Sequence, residues 1–462
     1  MYKFSNYNLW FPYSNNDNYL LGYNYVKETL IILSKKDKTN LEILISSKKD
    51  KEDKNCGAFQ SLKKLEELGF LVKDDVDEKE VIEKVFKKGK FTNDRLYFVI
   101  AYTTKCNMEC VYCFQQHIKG VQMNNFIKEK TLKWLERYLD SNKSIRNISL
   151  NLFGGEPLVD LESFNFFIDR VRKISIQRGL SFGFSLTTNG VLIEKINLNN
   201  LILNELKGIQ FTLDGPRKIH DKRRLFKNKS GSFNKIIQAI KKISDLSCKV
   251  EIIVEVNFDK QNILSLSELF DEFIKNGIDK KIIVSPEPVL PAAKKNLSSH
   301  YEVYKLNEQE LIEAYKHILQ EINKRNLKVS KTLGRFYPCT FTHKNNIIIG
   351  PDGKIYKCAF MMGFNVFSVG EVINEGYNSI HDELSQISFP AKCYECKFLP
   401  ICGGGCKYKS YLKYGDFKKI YCEKRLLEEI QPKIIECVYQ DRIRSICREK
   451  DANIFTDSSI KE

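Results

Sequence analysis

Cys106, Cys110 and Cys113 lie in the run Thr104-Lys-Cys-Asn-Met-Glu-Cys-Val-Tyr-Cys-Phe114, whose intervals of three and two residues put three thiols on one tight loop. Three thiolates can hold three corners of a [4Fe–4S] cube, whereas the ordinary ferredoxin pattern completes the set with a fourth cysteine. One iron is then left for a ligand that is not protein. An iron with an exchangeable position points to chemistry rather than electron storage. A zinc loop, or three unrelated buried cysteines, would account less well for thiols so closely spaced.

Other candidate residues follow at intervals. Phe153-Gly-Gly-Glu-Pro157 combines glycines, which let a backbone approach a ligand closely, with Glu156, a carboxylate able to accept hydrogen bonds from an ammonium group. Taken alone the segment is also a common turn. Further on stand Ser185-Leu-Thr-Thr-Asn-Gly190, Leu213-Asp-Gly-Pro216 and His220-Asp-Lys-Arg-Arg224. A second group of cysteines closes the chain: Cys339, then Cys358, Cys393-x2-Cys396-x5-Cys402-x3-Cys406, and Cys422, with thirteen residues between Cys339 and Gly353. Cys393 to Cys406 alone could be a zinc knuckle.

The elements that must position these residues are legible as periodicity. Apolar strand-like runs at Leu96 to Ala101, Ile148 to Phe153, Phe182 to Thr187, Gly208 to Leu213, Val250 to Val256 and Ile282 to Ser285 alternate with helices such as Ile127 to Tyr138, Leu161 to Ile176 and Phe233 to Ser244. Such alternation predicts a parallel sheet with crossover helices, and the cysteine loop follows its first strand. Catalytic residues of parallel barrels gather at the C-terminal strand ends, which is where that loop falls. Before this region, Tyr7 to Tyr13 and Tyr19 to Tyr25 read as short strands. Phe59, Leu62, Leu65 and Leu68 then mark a helix that Gly69 ends before Phe70-Leu-Val72. Together these predict a small winged-helix-like module. The stretch from Leu290 to Ser299 reads as a loop, Tyr301 to Asn326 as a helical connector, and Thr456 to Glu462 as a disordered tail.

A chain of 462 residues exceeds one ordinary core, so two or three domains are expected, and 42% hydrophobic residues suffice to bury them. No apolar run reaches the roughly 18 residues that span a bilayer. The start, Met1-Tyr-Lys-Phe-Ser-Asn6, lacks the apolar stretch of a signal peptide, so a cytoplasmic enzyme without membrane contact is expected. Fourteen cysteines at metal-ligand spacings in such a chain read as metal thiolates, not disulfides. The 74 basic and 58 acidic residues give +16, which favours an anionic partner such as nucleic acid or an acidic peptide segment. Lysine enrichment in an Asn/Ile/Lys-rich composition explains the charge equally well, and nucleic acid is not the expected partner.

The C-x3-C-x2-C loop with Tyr112 before its last cysteine, followed by Gly154-Gly155-Glu156-Pro157 after the second strand, resembles the signature of the radical S-adenosylmethionine (SAM) enzymes. The seven C-terminal cysteines with Gly353 resemble the SPASM extension of that superfamily. The resemblance covers roughly residues 95 to 425. It implies an α/β fold: a partial (β/α)6 TIM-like barrel at 93–300, a winged-helix-like recognition domain at 1–92, a connector at 301–335, an iron–sulfur SPASM domain at 336–450 and a tail at 451–462.

The implied cofactors are SAM and three [4Fe–4S] clusters, one binding SAM and two auxiliary. In the superfamily the amino and carboxyl groups of SAM chelate the open iron, and the reduced cluster cleaves SAM to a 5′-deoxyadenosyl radical. Tyr112 would lie near the adenine, and Gly154, Gly155, Glu156 and Pro157 would bind the amino group. Ser185, Thr187 and Asn189 belong to the segment that approaches ribose and carboxylate. Arg224, with Arg223 as its alternative, is suited to the carboxylate, and His220 reads as structural. Cys393, Cys396, Cys402 and Cys422 would hold the outer auxiliary cluster, and Cys339, Cys358 and Cys406 the inner one. Its fourth position falls to Cys437, to Cys447 or to substrate.

The activity implied is modification of a ribosomally made precursor peptide, its leader bound by the N-terminal domain, with electrons from a low-potential donor such as flavodoxin or ferredoxin. A cysteine sulfur joined to a carbon, forming a thioether, is the first choice of product; carbon–carbon and carbon–oxygen crosslinks come next. Sulfatase-maturing members of the group place an Asp after the cysteine equivalent to Cys358. Here Ala359 follows, which disfavours formylglycine formation. RNA modification, and a non-enzymatic iron–sulfur sensor binding DNA, are the remaining alternatives.

Overall fold

The computed structural model describes residues 1–14, 16–46, 57–91, 94–196, 205–246, 250–291, 306–330, 340–374, 376–385, 388–440 and 443. Cys339, Cys447, the loop at 292–299 and the tail at 456–462 lie outside the described residues.

The chain opens with β1 (Tyr2–Phe4), β2 (Asn8–Tyr13), β3 (Asn16–Asn24) and β4 (Thr29–Ser34); β2, β3 and β4 form an antiparallel sheet. Helices Lys35–Ser46 and Gly57–Glu67 follow, then β5 (Leu71–Lys73), which pairs antiparallel with β1, and helix Glu78–Phe91. Gly69 ends the second helix as expected, at φ +81°, and the buried Asn24 side chain donates to its carbonyl at 2.7 Å. This small module does not stand apart. Leu9, Phe11, Tyr13, Leu21, Tyr25, Leu30 and Ile32 share one apolar cluster with Phe398, Leu427 and Ile435 of the C-terminal region.

The six expected strands are present as β6 (Arg95–Thr103), β8 (Asn147–Gly154), β9 (Ser181–Thr187), β10 (Leu206–Thr212), β12 (Glu251–Phe258) and β13 (Ile283–Pro288). All run parallel in that spatial order. Two short strands outside this sheet, β7 (Met108–Cys110) and β11 (Arg224–Phe226), pair antiparallel with each other. Alternation along the parallel strands separates two faces. Ile148, Leu150, Leu152, Phe184, Leu186, Val254 and Val256 are buried among residues of the crossover helices, while Asn151, Ser185, Thr187, Gln210, Glu255 and Asn257 take the opposite, concave face.

The C-terminal region extends this sheet. β14 (Lys328–Val329) pairs parallel with β13, and β15 (Asn346–Ile349) pairs parallel with β6, so the first barrel strand is not an edge. β16 (Lys354–Tyr356), β17 (Gly370–Glu371) and β18 (Gly376–Tyr377) continue antiparallel, giving eleven strands in order among the described residues. Helices Glu308–Lys324 and Lys424–Val438 pack on one another at the far side. Local periodicity could not report the β6–β15 pairing, since the partners lie about 250 residues apart, a separation that only tertiary packing decides. Ile349, fully buried, belongs to the same core as the barrel strands. Ile349→Ala should cost about 2–5 kcal/mol and lower the melting midpoint of barrel and C-terminal region together. Separate transitions by circular dichroism, with the barrel unmoved, would contradict this.

Candidate active site

A loop carrying three thiols has little apolar surface of its own, so neighbouring backbone must fix it. β7 contains Cys110, which lies directly opposite Arg224 in β11, and Val111 N–H donates to Arg223 C=O at 3.0 Å. From the other side, Gly155 N–H donates to Thr103 C=O and Glu156 N–H to Lys105 C=O, each at 2.9 Å. The glycines are required by this closeness. A Cβ at Gly154, where φ is +150°, would fall 2.1 Å from the Thr103 carbonyl oxygen, and one at Gly155 would fall 2.5 Å from those of Thr104 and Lys105.

Glu156 is fully buried. Its carboxylate accepts from Leu158 N–H (3.0 Å), from the Thr188 hydroxyl (2.8 and 2.9 Å) and from Asn189 N–H (2.7 Å), so it ties the loop after β8 to the loop after β9. Burial pushes its pKa up, against the pull of those donors. Pro157 opens a short helical turn, and its carbonyl accepts from the Tyr102 hydroxyl at 2.7 Å. Asn189 reaches the cysteine loop, its amide donating to Asn107 Oδ1 at 2.8 Å and lying 3.8 Å from Cys106 Sγ. Ser185 and Thr187 lie on the concave face of the barrel, where Asn151 Nδ2 is 2.8 Å from Ser185 Oγ and 3.5 Å from Thr187 Oγ1.

The two adjacent arginines have different partners. Arg223 is buried and forms ion pairs with Asp214 (3.1 Å) and Asp259 (2.7 Å), so it is a brace and the alternative assignment to it lapses. Arg224 is also buried, and one Nη donates to the Tyr112 hydroxyl at 2.9 Å. Its Nε is buried without a partner among the described residues. Burial opposes its charge, but Cys110, Tyr112 and Asp214 outweigh this and hold the guanidinium pKa well above the ordinary range. An unpaired, charged donor beside the cysteine loop suits a carboxylate ligand. Tyr112 is the hub of the cluster: its hydroxyl donates to Asp214 Oδ1 (2.7 Å) and also receives Asn257 Nδ2 (3.3 Å).

His220 is structural. Its ring nitrogens contact Asp214 N–H at 3.3 Å and Ser232 Oγ at 2.9 Å, and burial, with Arg224 and Arg223 nearby, holds its pKa well below the ordinary value. Thr188, Asp214, Asp259, Glu255 and Asn257 were not singled out as ligands or braces from the sequence. Glu255 carried a signal, a charged residue at an inward strand position; it accepts from Gln210, and burial pushes its pKa up.

The three loop thiols interact electrostatically with one another. In the metal-free protein burial pushes the Cys110 thiol up to about 12, so iron must displace its proton on binding. Among the described residues no three histidine, cysteine or acidic side chains converge tightly enough to share one metal ion. A cubane takes one thiolate per iron, so its ligands need only face a common space. The donor set, the orphan Arg224 Nε and the glycine-lined approach therefore fit a [4Fe–4S] cluster with a small amino-acid ligand.

In the C-terminal region Cys393 lies close to Cys396 and Cys422, and Cys402 joins Cys396 in the cluster shared with the N-terminal module. Cys358 follows β16, Cys406 precedes helix Lys407–Tyr414, and both pack against the main core. An aromatic stack bridges these segments to the first loop. Phe114, next to Cys113, lies 4.6 Å from Phe360, which lies 5.2 Å from Tyr408. Cys437 is drawn elsewhere: buried between helices, its thiol donates to Leu319 C=O at 3.5 Å.

Gly155→Ala should cost about 1–3 kcal/mol of strain and lower iron incorporation, measured after anaerobic reconstitution, while far-ultraviolet dichroism stays native. Because the folded pKa of His220 lies below its unfolded value of ~6.5, its contribution is fully present above that pH and is lost as pH falls. Between pH 7 and 5.5 the melting midpoint of metal-free His220→Asn should accordingly vary less than that of the parent chain. Parallel slopes would contradict the buried neutral imidazole.

Comparison with known proteins agrees with this geometry. The family model described as the radical SAM superfamily matches residues 100–288. A cysteine-type anaerobic sulfatase-maturating enzyme of Clostridium novyi (strain NT) is 25% identical over 360 residues, covering 70% of this chain and 90% of that protein. Among solved structures, native anSMEcpe with bound AdoMet and Kp18Cys peptide has a TM-score of 0.58 at 20% identity, covering 75% of this chain and 99% of the other. Streptococcus suis SuiB bound to precursor peptide SuiA has a TM-score of 0.52 at 16% identity, covering 92% and 99%. With the cysteine loop following the first parallel strand, glycines pressed against it and a charged arginine left with an open donor, residues 100–288 of this chain are a radical SAM domain.

Proposed function

We propose that this protein is a maturase of a ribosomally made peptide, joining a substrate cysteine sulfur to a carbon atom. When loaded, the cluster and SAM supply a carbon radical able to remove hydrogen from an unactivated C–H bond. The chain's own residues would do the rest. Cys106, Cys110 and Cys113 would hold the cluster; Arg224 Nε offers a donor to the SAM carboxylate; Glu156 keeps the two glycine-bearing loops in register; Asn151, Ser185 and Thr187 give the barrel interior a polar lining for ribose.

What supports the thioether reading is the packing of Cys437 away from the inner auxiliary site, which leaves Cys447 or substrate for its fourth position. Cys358 and Cys406 flank the aromatic stack that reaches the first loop, and Cys339 is their expected third partner. Cys437, one candidate for the fourth position, is held by Leu319 between two helices. A position left to substrate would bind a peptide thiolate, lower its pKa and orient it for capture by a carbon radical, the thiol proton leaving to solvent and the one surplus electron passing to that auxiliary cluster. Peptides in the structures of similar fold, SuiA with SuiB and Kp18Cys with anSMEcpe, support a peptide substrate here.

The sulfatase-maturating relatives favour a second reading, oxidation of a cysteine to formylglycine. Ala359, which begins a short helical turn straight after Cys358, puts no carboxylate at that position.

Reconstituted protein, SAM, a reductant and a cysteine-containing precursor peptide, incubated anaerobically, should yield 5′-deoxyadenosine. The peptide should lose two hydrogens, keep its sulfur and no longer react with an alkylating agent. Loss of sulfur with gain of an aldehyde would establish formylglycine instead, and modification of RNA alone would defeat both readings. With three clusters filled the protein should carry about twelve irons per chain. Cys393→Ala paired with Cys396→Ala should remove about four of them while 5′-deoxyadenosine can still form.

A further inference from the structure

Two segments that carry candidate cluster ligands meet at His117. Its half-buried ring belongs to the turn Gln116–Ile118, which is tied to the first cysteine loop because Gln116 N–H donates to Cys113 C=O at 3.4 Å. Facing it is the turn Ala359–Met361, tied to the C-terminal region in the same way, Met361 N–H donating to Cys358 C=O at 3.1 Å. The ring spans the two. Nδ1 lies 3.0 Å from the Phe114 carbonyl oxygen, and Nε2 lies 3.0 Å from that of Met362. One face stacks on Phe364, with ring centroids 4.0 Å apart and planes inclined by 20°. Gly363 permits the approach: a Cβ there would fall 2.3 Å from Ile118 Cγ2 and 2.9 Å from His117 Nε2.

Carbonyl oxygens only accept, so each of these contacts needs an N–H on the ring. Neutral imidazole has one, and imidazolium has two. An oxygen against each nitrogen therefore calls for the cation, whose charge-assisted bonds are stronger than neutral ones and whose charge an aromatic face favours. Apart from Cys113 and Cys358, which precede them, the segments from Phe114 to Ile118 and from Ala359 to Phe364 bring no other titratable side chain, and Lys119 is paired with Glu109 at 3.7 Å.

We propose that His117, as an imidazolium, is a positioning residue that staples the Cys358 turn to the Cys113 loop, and so fixes the distance across which the carbon radical and the substrate sulfur must meet. The inference rests on the reading that both segments hold clusters. The Phe114–Phe360 contact beside it, at 4.6 Å, adds apolar packing, but the two ring hydrogen bonds are directional. SAM cleavage needs only the first loop, whereas joining sulfur to carbon needs both segments in register. Misplacing reacting groups by about 1 Å can cost on the order of a hundredfold in rate. The staple therefore bears on joining and not on cleavage.

The test uses the reconstituted holoprotein and two variants. His117→Phe keeps a flat ring for Phe364 but has no N–H, and His117→Gln donates from a single nitrogen. Hydrogen exchange is followed in peptides spanning 114–121 and 359–367, and 5′-deoxyadenosine and joined peptide are counted in the same anaerobic reactions. His117→Phe should keep the parental iron content and rate of 5′-deoxyadenosine formation. Its 359–367 amides should exchange about tenfold faster, and joined peptide per 5′-deoxyadenosine should fall about tenfold or more. His117→Gln should lie between this variant and the parent. Unchanged exchange in His117→Phe would overturn the proposal. So would loss of iron, or an equal fall in 5′-deoxyadenosine and joined peptide, since His117 would then serve the first loop alone. His117→Gln matching the parent would show that one donor suffices and would overturn the imidazolium. Exchange is read without substrate, so it decides the staple even where the parent forms no thioether, a result that would instead defeat the function proposed above.

Discussion

The antiparallel pairing of Met108–Cys110 with Arg224–Phe226 is the constraint on which the site depends. It fixes the cysteine loop to a segment that follows the fourth barrel strand, and the same register sets Arg224 against Cys110. Backbone hydrogen bonds do this without demanding particular side chains, leaving Cys110 and Arg224 available for ligands. The opposite flank is fixed in the same manner, by N–H groups of Gly155 and Glu156 on carbonyls of Thr103 and Lys105. A loop clamped on both sides can hold its thiols in place before any metal arrives, which lowers the ordering cost of binding.

Clamping creates a second problem, buried charge, and the site answers it with pairs. Asp214 and Asp259 share Arg223 between them, the Tyr112 hydroxyl donates to the Asp214 carboxylate, and Asn262 Nδ2 donates to the Asp214 backbone carbonyl. Removing one member of such a set leaves its partner uncompensated, at a cost of about 3–5 kcal/mol. Arg224 is the exception. It keeps its charge against burial with one donor unpaired, the condition of a residue awaiting an anionic ligand. Sites that bind charged cofactors carry such unpaired donors, and beside Arg224 one buried cation, Arg223, is shared by two carboxylates, Asp214 and Asp259.

Much of this was legible in the sequence because it was local. Cysteine spacing, the run from Gly154 to Pro157 and six apolar strands are patterns of a few residues each, and the strands lie where their periodicity puts them. What was not legible depends on distant partners. Nothing in the run from His220 to Arg224 separates Arg223 from Arg224; Asp214 and Asp259 do so only once folded. Glu156 was expected to present its carboxylate to an ammonium group, yet its oxygens are bonded to Leu158, Thr188 and Asn189, so its evident part is to position neighbouring backbone. The strand Asn346–Ile349 was read as belonging to a separate cysteine domain, while its hydrogen bonds complete the edge of the first barrel strand. Cys437 was a free candidate for the inner cluster until the packing of its helix assigned its thiol to Leu319.

The central claim is that the cysteine loop holds an iron whose last coordination position belongs to SAM, with Arg224 beside it. It is tested most directly by electron paramagnetic resonance of the reduced protein, with every auxiliary cysteine replaced by alanine so that one cluster remains. Addition of SAM should change the spectrum, and SAM labelled with 17O in its carboxylate or 15N in its amino group should show hyperfine coupling to the cluster; Arg224→Met should weaken SAM binding without removing the cluster. A spectrum indifferent to SAM, with no coupling from either label, would contradict the account.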